Sequence, residues 1–301
     1  DKPSDYFNTK LYTGNGSSQT ITGVGFQPDW LWIKSRGSTG NGRVHDVVRG
    51  VDKQLYTSLT NAEYTYSPNT GVTSFDSDGF SLGSDIGQNT NTETYVAWNW
   101  LAGGSASSNS DGDITSTVSA NTTSGFSVVS YTGNGSTNQT IGHGLGAIPD
   151  FIIVKQRNTT RNWPTYTKAL GNGVAFLDIT DAWAGGSSYQ NYWYVSGMTT
   201  STFGISNNDN TNASGGTFIA YVFANVKGYC KSGSYIGNGN SDGAFVYTGF
   251  KPAFIIFKRS DAAENWALMD NKLRPANGVG NNYIYPDLNN AQDTTSDFDM
   301  L

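Results

Sequence analysis

Few side chains in this 301-residue chain could act as an acid, a base or a nucleophile. There are two histidines, His45 beside Asp46 and His143 between two glycines, and one cysteine, Cys230. A histidine next to an aspartate is the arrangement of a general base and its orienting carboxylate, but no serine or cysteine stands in the sharp turn that presents a nucleophile. The sequence therefore favours a loop role for His143 and disfavours a catalytic role for both histidines.

Paired carboxylates are the second arrangement that could catalyse a reaction. Glycosidases hold two carboxylates across a cleft, and the sequence leaves a pair such as Asp46 and Asp178 open. Glutamates number only three, and no acidic pair recurs along the chain. We therefore predict a protein without enzymatic activity and keep polysaccharide cleavage as the alternative.

Two acidic turns resemble the first half of a calcium loop, residues 76–79 (Asp-Ser-Asp-Gly) and residues 109–113 (Asn-Ser-Asp-Gly-Asp). Neither is followed by the full series of oxygen ligands and the closing glutamate that such a loop needs. A hairpin turn and a linker turn are the favoured interpretations. We predict no cofactor and no metal site, and leave calcium at these turns open.

Aromatic side chains gather in polar surroundings at three places. Residues 189–194 read Tyr-Gln-Asn-Tyr-Trp-Tyr, and an Asn-Trp pair ends at Trp163 and again at Trp266. Rings beside amides are typical of sugar-binding surfaces, because a ring stacks on the sugar face while amides bond its hydroxyls. The sequence favours the alternative, in which the rings fill cores or the seams between repeats. The candidate sugar-binding residues are Trp163, Tyr189, Tyr192, Trp193, Tyr194 and Trp266.

A three-fold internal repeat organises the chain. Residues 12–16 (Tyr-Thr-Gly-Asn-Gly) return as 131–135 and, with isoleucine for threonine, as 235–239. Each copy leads to a glycine, a proline and an apolar run closed by lysine. The copies start 119 and 104 residues apart (131 − 12 and 235 − 131), which is the length of a domain and far above the roughly 20 to 50 residues of a solenoid repeat. The closing lysines are Lys34, Lys155 and Lys258.

The repeat divides the chain into three units. We predict that residues 1–103 form unit 1, that residues 104–124 are a Gly/Ser/Asn-rich linker, with a short strand at residues 114–118 left open, and that residues 125–227 form unit 2. Residues 228–301 form unit 3, which stops at residues 297–301, before the last strand of the other units. Since an unclosed sandwich exposes a core face and a strand edge, we expect a continuing chain or another chain to fill that place.

Composition and pattern predict an all-β protein. Aromatic residues make up 13% of the chain and glycines number 37, a mixture that favours strands and tight turns. Residues 44–59 are read as two short strands around an Arg49-Gly50 turn, and residues 72–82 as a hairpin with an Asp-Gly turn. The apolar residues 30–36 are expected to be covered on both faces. We predict tandem antiparallel β-sandwich domains of the jelly-roll or lectin-like type, the third incomplete at its C-terminal end.

The same composition excludes several classes of partner. A formal net charge of −6 disfavours nucleic acid, whose phosphates need a basic face. No apolar run approaches the roughly 18 to 20 residues of a membrane span, so no membrane insertion is expected. The single cysteine has no partner for an internal disulfide.

The order of several short motifs resembles one known family. These motifs include residues 2–9 (Lys-Pro-Ser-Asp-Tyr-Phe-Asn-Thr), 74–83 (Ser-Phe-Asp-Ser-Asp-Gly-Phe-Ser-Leu-Gly), 94–98 (Thr-Tyr-Val-Ala-Trp), 142–149 and 249–254, and they span essentially the whole chain. Together they resemble an uncharacterised repeat-domain family of tail-fibre-like virion proteins from marine phages, cyanophages among them. That family carries no established catalytic residues to transfer.

The resemblance implies a phage virion structural protein, tail-fibre-like or adhesin-like, on the surface of the particle. Its repeated β-sandwich domains would serve assembly and host-surface attachment. The expected partners are other virion proteins, further copies of the chain with a trimer as one candidate, and a host surface glycan. The alternatives are a polysaccharide-degrading tailspike-type enzyme and a carbohydrate-binding module of a secreted protein.

Overall fold

The structure, a computed structural model, describes residues 2–186, 189–240, 243–273 and 282–294. Antiparallel strands dominate these ranges, and the prediction of an all-β sandwich fold is confirmed. Short helical elements occur at Pro3–Asp5 and Val195–Gly197, both 3₁₀ turns, and at Asp209–Asn212, helix α1. None of the helices in the described ranges is long and apolar enough to cross a membrane.

Unit 1 is a sandwich of two antiparallel sheets. Its strands are β1 (Phe7–Thr13), β2 (Gln19–Thr22), β3 (Trp30–Ser35), β4 (Arg43–Asp46), β5 (Gly50–Tyr56), β6 (Tyr64–Thr65), β7 (Val72–Asp76), β8 (Gly79–Leu82) and β9 (Thr94–Trp100). The large sheet has the order β1-β9-β3-β4-β5-β6 and the small sheet β2-β8-β7. Both predicted hairpins are confirmed: β4 and β5 pair around Arg49 and Gly50, and β7 pairs with β8.

Unit 2 repeats this strand order. The next strands are β10 (Ser107–Asn109), β11 (Ser116–Asn121), β12 (Phe126–Thr132), β13 (Gln139–Gly142), β14 (Phe151–Gln156), β15 (Pro164–Thr167), β16 (Gly173–Phe176), β17 (Ala184–Gly185), β18 (Thr202–Ile205) and β19 (Thr217–Phe223). The order β12-β19-β14-β15-β16-β17 matches the large sheet of unit 1 strand for strand. Likewise, β13 pairs with β18 as β2 pairs with β8.

Residues 104–124, predicted as a linker, contain the strands β10 and β11. These strands extend the large sheet of unit 2, because β11 pairs with β12 along its whole length. Val118 of β11 is buried in the unit 2 core. The short strand considered at residues 114–118 is thus β11, which begins two residues later and pairs with the large sheet of unit 2. The polar composition gave no sign that the stretch joins this sheet.

Unit 3 is described in part. Strands β20 (Phe254–Phe257) and β21 (Ala267–Asp270) pair with each other in the register of β3 and β4. A bridge between Leu268 and Ile284 stands where β4 pairs with β5 in unit 1. Residues 297–301, at which the sequence predicted an interrupted unit, lie outside the described residues.

The central strand β3 is buried on both faces, as predicted. Leu31 and Ile33 pack in the core between the two sheets of unit 1. Trp30 and Trp32 point the other way, since side chains alternate along a strand, into a second core. β9 lies between β1 and β3, so its side chains contribute to both cores. We call β9 and its unit 2 counterpart β19 the closing strands.

The second core belongs to all three units, and we call it the shared core. The outer faces of the large sheets meet there, so the units pack around one apolar centre. Tryptophan rings dominate it, and such rings bury large areas each. Its members include Trp30, Trp32, Trp98 and Trp100 of unit 1, Phe126, Ile153, Trp163 and Tyr221 of unit 2, and Trp266, Leu268 and Ile284 of unit 3.

Candidate functional site

The repeated Tyr-Thr-Gly-Asn-Gly motif forms a turn that anchors the loop before the closing strand. The Tyr12 hydroxyl donates to the Gln88 carbonyl oxygen at 2.8 Å, and the Asn15 amide donates to Asn89 Oδ1 at 2.9 Å. Gly16 adopts a φ of 72°, which glycine reaches without strain. The motif is therefore structural in units 1 and 2. The matching residues of unit 2 are Tyr131, Thr211, Asn134 and Asn212.

The lysine that ends each central strand lies at a junction between two units. Lys155 of unit 2 donates from Nζ to the carbonyl of Arg161 in its own loop at 2.6 Å and to that of Thr60 in unit 1 at 2.8 Å. Lys34 bonds in the same way to the Gly40 carbonyl of its own loop, whereas the own-unit acceptor of Lys258 is the adjacent Arg259 carbonyl. Their acceptors in the neighbouring units are Leu288 of unit 3, at 2.9 Å, and Thr180 of unit 2, at 3.1 Å.

Backbone hydrogen bonds repeat at the same three junctions. Unit 2 docks on unit 1, unit 3 on unit 2 and unit 1 on unit 3, so the ring of units closes. Such closed head-to-tail packing is the arrangement of a cyclic trimer, built here within one chain. The amides of Gly40, Arg161 and Glu264 donate to the carbonyls of Asn289, Thr60 and Thr180, and the amides of Gln292, Glu63 and Trp183 donate to those of Arg36, Arg157 and Ser260, at 2.7–3.0 Å.

The junction lysines make stability depend on pH. Burial lowers the pKa of Lys34 and of Lys155 to about 8, against 10.5 in the unfolded chain. Above pH 8 the unfolded chain therefore binds more protons, and the free energy of unfolding should rise with pH, by up to about 1.4 kcal/mol per pH unit for each lysine. Burial raises the pKa of Cys230 to about 12, so this thiol makes the free energy of unfolding fall as the pH rises. The measurement is therefore made in a Cys230→Ser protein.

Urea unfolding of that Cys230→Ser protein between pH 7.5 and 9.5 measures how the free energy of unfolding changes with pH. Adding Lys34→Met and Lys155→Met should remove most of this pH dependence, whatever the change in stability at pH 7.5. A flat curve before these replacements would contradict the assignment.

A buried ion cluster joins units 1 and 2. Arg49 donates from Nε to Asp46 at 2.5 Å and from its terminal nitrogens to Glu63 and the Tyr221 hydroxyl, both at 3.2 Å. The Tyr221 hydroxyl also donates to Asp46 at 2.9 Å. Arg157 of unit 2 holds Glu63 through two nitrogens, each at 2.9 Å. Asp46 thus serves the junction and does not orient His45.

Both histidines are buried, and His143 follows β13 in a loop, as the sequence predicts. His45 Nε2 lies 2.9 Å from Gln88 Oε1, and burial lowers the pKa of His45 to about 3, so its ring is neutral. His143 Nδ1 accepts from the Leu145 amide at 3.1 Å, and burial lowers its pKa as well. Each ring is held by its turn or sheet.

The carboxylates considered for a glycosidase pair serve separate hydrogen-bond sets. Asp178 accepts from the Trp163 amide at 2.9 Å and from the Asn162 side chain at 3.1 Å, and burial raises its pKa. Asp46 belongs to the ion cluster of Arg49. The arrangement expected across a catalytic cleft, with both carboxylates facing one space, is not formed by these two.

The two acidic turns bond to their own backbone surroundings. Asp78 accepts from the Gly23 amide at 2.9 Å and the Gly25 amide at 2.6 Å, bonds that lower the pKa of this exposed carboxyl. Asp113 accepts from the Thr140 hydroxyl at 2.7 Å. Over the described residues, no three of the histidine, cysteine and acidic side chains form a group that could hold a metal ion.

Most of the candidate sugar-binding aromatics lie inside the protein. Trp163 donates from Nε1 to the Tyr56 carbonyl of unit 1 at 3.0 Å, and Trp266 to the Phe176 carbonyl of unit 2 at 2.7 Å, so these two rings fill equivalent seams between units. A sugar has no access to them. The exposed fractions are 0% for Trp163, 1% for Trp193, 5% for Trp266 and 9% for Tyr192, against 37% for Tyr189, while Tyr194 is half-buried.

A cavity of about 400 Å³ opens on unit 1 beside Tyr66, a volume within the range of about 300–1,000 Å³ for ligand pockets. The Tyr66 hydroxyl donates to Gln54 Oε1 at 2.6 Å, and this bond to a buried partner fixes the ring. Tyr64, 51% exposed, meets Tyr66 edge to face at 5.0 Å. The lining residues are Val51, Asp52, Tyr66, Ser67, Pro68, Asn69, Val72 and Thr73.

This cavity combines one fixed ring with a carboxylate, an amide and hydroxyls, which is the chemistry that binds a sugar. Tyr64 and Tyr66 were not among the candidate residues predicted from the sequence. A signal was present: β6 of unit 1 and β17 of unit 2 occupy the same place in their sheets, and an aromatic-rich stretch lies at or after each. Only the stretch at residues 189–194 was selected, because its ring density is higher.

The comparisons with known proteins assign the chain to one family. The model described as "Domain of unknown function (DUF7483)" matches residues 2–301, so the chain belongs to that family. No curated protein and no solved structure matches the sequence.

Proposed function

We propose that this member of the DUF7483 family is a structural component of a phage virion that takes part in attachment to the host surface. The observation that carries the proposal is the closed ring of three equivalent junctions. Contacts between the units of this ring are made by Lys34, Lys155, the Arg49 cluster and the two seam tryptophans. These residues therefore act in assembly. Such a rigid body suits a fibre or adhesin. The resemblance of the repeat motifs to tail-fibre-like proteins supports the same function.

The cavity beside Tyr66 is the proposed contact with a host glycan. Stacking of a sugar on the Tyr66 ring would account for an aromatic side chain at the edge of a sheet, next to the exposed Tyr64. The polar residues Asp52 and Asn69 line the same space and would bond sugar hydroxyls. Other virion proteins and further copies of the chain complete the proposed set of partners, which a mass measurement of purified protein and of particle extracts tests.

Retention of the purified protein on bacterial capsule and O-antigen polysaccharides tests attachment and cleavage together. We expect retention in affinity electrophoresis without release of new reducing ends. Tyr66→Ala should weaken retention about tenfold, equivalent to about 1.4 kcal/mol, whereas Tyr66→Phe keeps the ring and should retain binding. Loss in both variants would indicate that only the hydroxyl bond to Gln54 matters.

Tyr235→Ala is the matched control, because it removes an exposed ring that does not line the cavity. Release of reducing ends would replace the attachment function by an enzymatic one. Antibodies raised against the chain should label intact phage particles and block adsorption, and particles without label would contradict the virion assignment.

A further inference from the structure

The first segment of unit 3 is exposed where its counterparts are buried. Tyr235 is 60% exposed, whereas the equivalent Tyr12 and Tyr131 are 9% and 4% exposed. Phe245 stands four residues before Gly249, as Ile21 stands four before Gly25, and is 89% exposed against 6%. Large apolar side chains grouped in this way mark an interaction surface. The other exposed members of the group are Ile236, Val246 and Tyr247.

The central strand of unit 3 is also less covered than its counterparts. Ile255 and Ile256 of β20 are partly buried, whereas Leu31 and Trp32, at the same places of β3, are 0% and 1% exposed. We call β20 together with residues 234–240 and 243–247 the open face.

Units 1 and 2 show what covers the equivalent of the open face. In unit 1 the closing strand β9 lies between β1 and β3, and in unit 2 β19 lies between β12 and β14. The small-sheet strands β8 and β18 pair with β2 and β13 and so cover the counterparts of the segment around Phe245. In the part of unit 3 that the structure describes, no strand takes either place.

The chemistry of the covering strand can be read from the two copies that exist. Thr94–Trp100 reads Thr-Tyr-Val-Ala-Trp-Asn-Trp and Thr217–Phe223 reads Thr-Phe-Ile-Ala-Tyr-Val-Phe. Both start with threonine, carry aromatic residues at positions 2, 5 and 7 and a β-branched aliphatic residue at position 3, and place an alanine that is 0% exposed at the centre. The run Thr-aromatic-aliphatic-Ala occurs at these two places among the 301 residues, and each is already paired in its own unit.

The closing strands also carry a polar contact to the neighbouring unit. Tyr221 of unit 2 donates to Asp46 of unit 1 at 2.9 Å, and Trp98 of unit 1 donates from Nε1 to Asp270 of unit 3 at 2.7 Å. In unit 2 the residue that matches Asp46 and Asp270 is Thr167, since it pairs opposite Phe151 as Asp46 pairs opposite Trp30. A closing strand on unit 3 would place its aromatic polar group over that hydroxyl.

We propose that the open face of unit 3 binds a polypeptide segment from outside residues 1–301 as an added antiparallel strand. The segment carries the closing pattern, which is threonine first, aromatic residues at positions 2, 5 and 7, a β-branched aliphatic residue at position 3 and a central alanine. Backbone bonds to β20 supply affinity, and the alternating side chains supply register and specificity.

A peptide with the sequence of residues 202–223, which spans β18, α1 and β19, tests this proposal. Added to the full chain, it should bind and slow the hydrogen exchange of β20 and of residues 234–240 and 243–247 at least tenfold. A peptide of the same composition with its last seven residues scrambled should do neither. Equal effects of the two peptides, or no protection by either, would overturn the proposal.

Phe245→Asp supplies a test on the protein side. Because Phe245 is 89% exposed, this replacement should leave the fold intact and weaken peptide binding at least tenfold. The matched control is Ile86→Asp, at an 83% exposed position of unit 1, which should bind the peptide normally. Unchanged binding in the Phe245 variant would show that the peptide docks elsewhere and would overturn the assignment.

Discussion

Replacing Asp46 by asparagine is expected to lower the free energy of unfolding by about 3–5 kcal/mol, the usual cost of removing one partner of a buried ion pair. The side chains of Asp46 and Arg49 are both 0% exposed. Asparagine keeps the shape but loses the charge, so Arg49 keeps only Glu63, at 3.2 Å, as an ionic partner. The Tyr221 hydroxyl of unit 2 would lose its charged acceptor in the same step. Urea unfolding at neutral pH measures the loss.

Asp52→Asn is the matched control for this prediction. Asp52 also pairs with a cation, Lys53 at 2.9 Å, but its side chain is 46% exposed. A solvent-exposed pair contributes about 0–1 kcal/mol, so this variant should remain close to the original protein. Equal losses in the two variants would show that burial of the Arg49 cluster is not what makes it important.

Trp98→Ala should destabilise all three units at once. Trp98 is 0% exposed and packs against Trp32 of unit 1 and Phe254 of unit 3, with ring centroids 5.6 and 6.0 Å away. Truncating a buried tryptophan costs about 3–5 kcal/mol, and here Asp270 also loses the Nε1 donor. We expect a fall in Tm on the order of 10 °C, measured by calorimetry.

The shared core predicts how that loss is distributed. Hydrogen exchange of β14 in unit 2 should accelerate together with that of β3 in unit 1, because both strands place side chains in the same core. Leu11→Ala is the control, since Leu11 is 38% exposed on the neighbouring strand β1. Faster exchange confined to unit 1 would mean that the units unfold independently.

The candidate site was harder to predict than the strands. Lys34, Lys155 and Lys258 were visible as ends of apolar runs, yet their acceptors in neighbouring units lie 254, 95 and 78 residues away. No local pattern encodes such distances. The same holds for Trp163, whose ring is buried because a loop of unit 1 covers it, and for Tyr66, whose ring borders a cavity that Val51 of β5 and Val72 of β7 also line.

The sequence by itself determined the three-fold repeat, the antiparallel strands and the two closing strands, because turn glycines and alternating apolar residues act over a few positions. It also indicated that β3 needs cover on both faces. Only the tertiary structure decided what that cover is. Burial of an apolar face is favourable, but the hydrophobic effect is non-directional, so any apolar face of suitable shape can cover it. In this protein the large sheets of the three units bury one another's apolar faces in the shared core. The open face of unit 3 remains exposed.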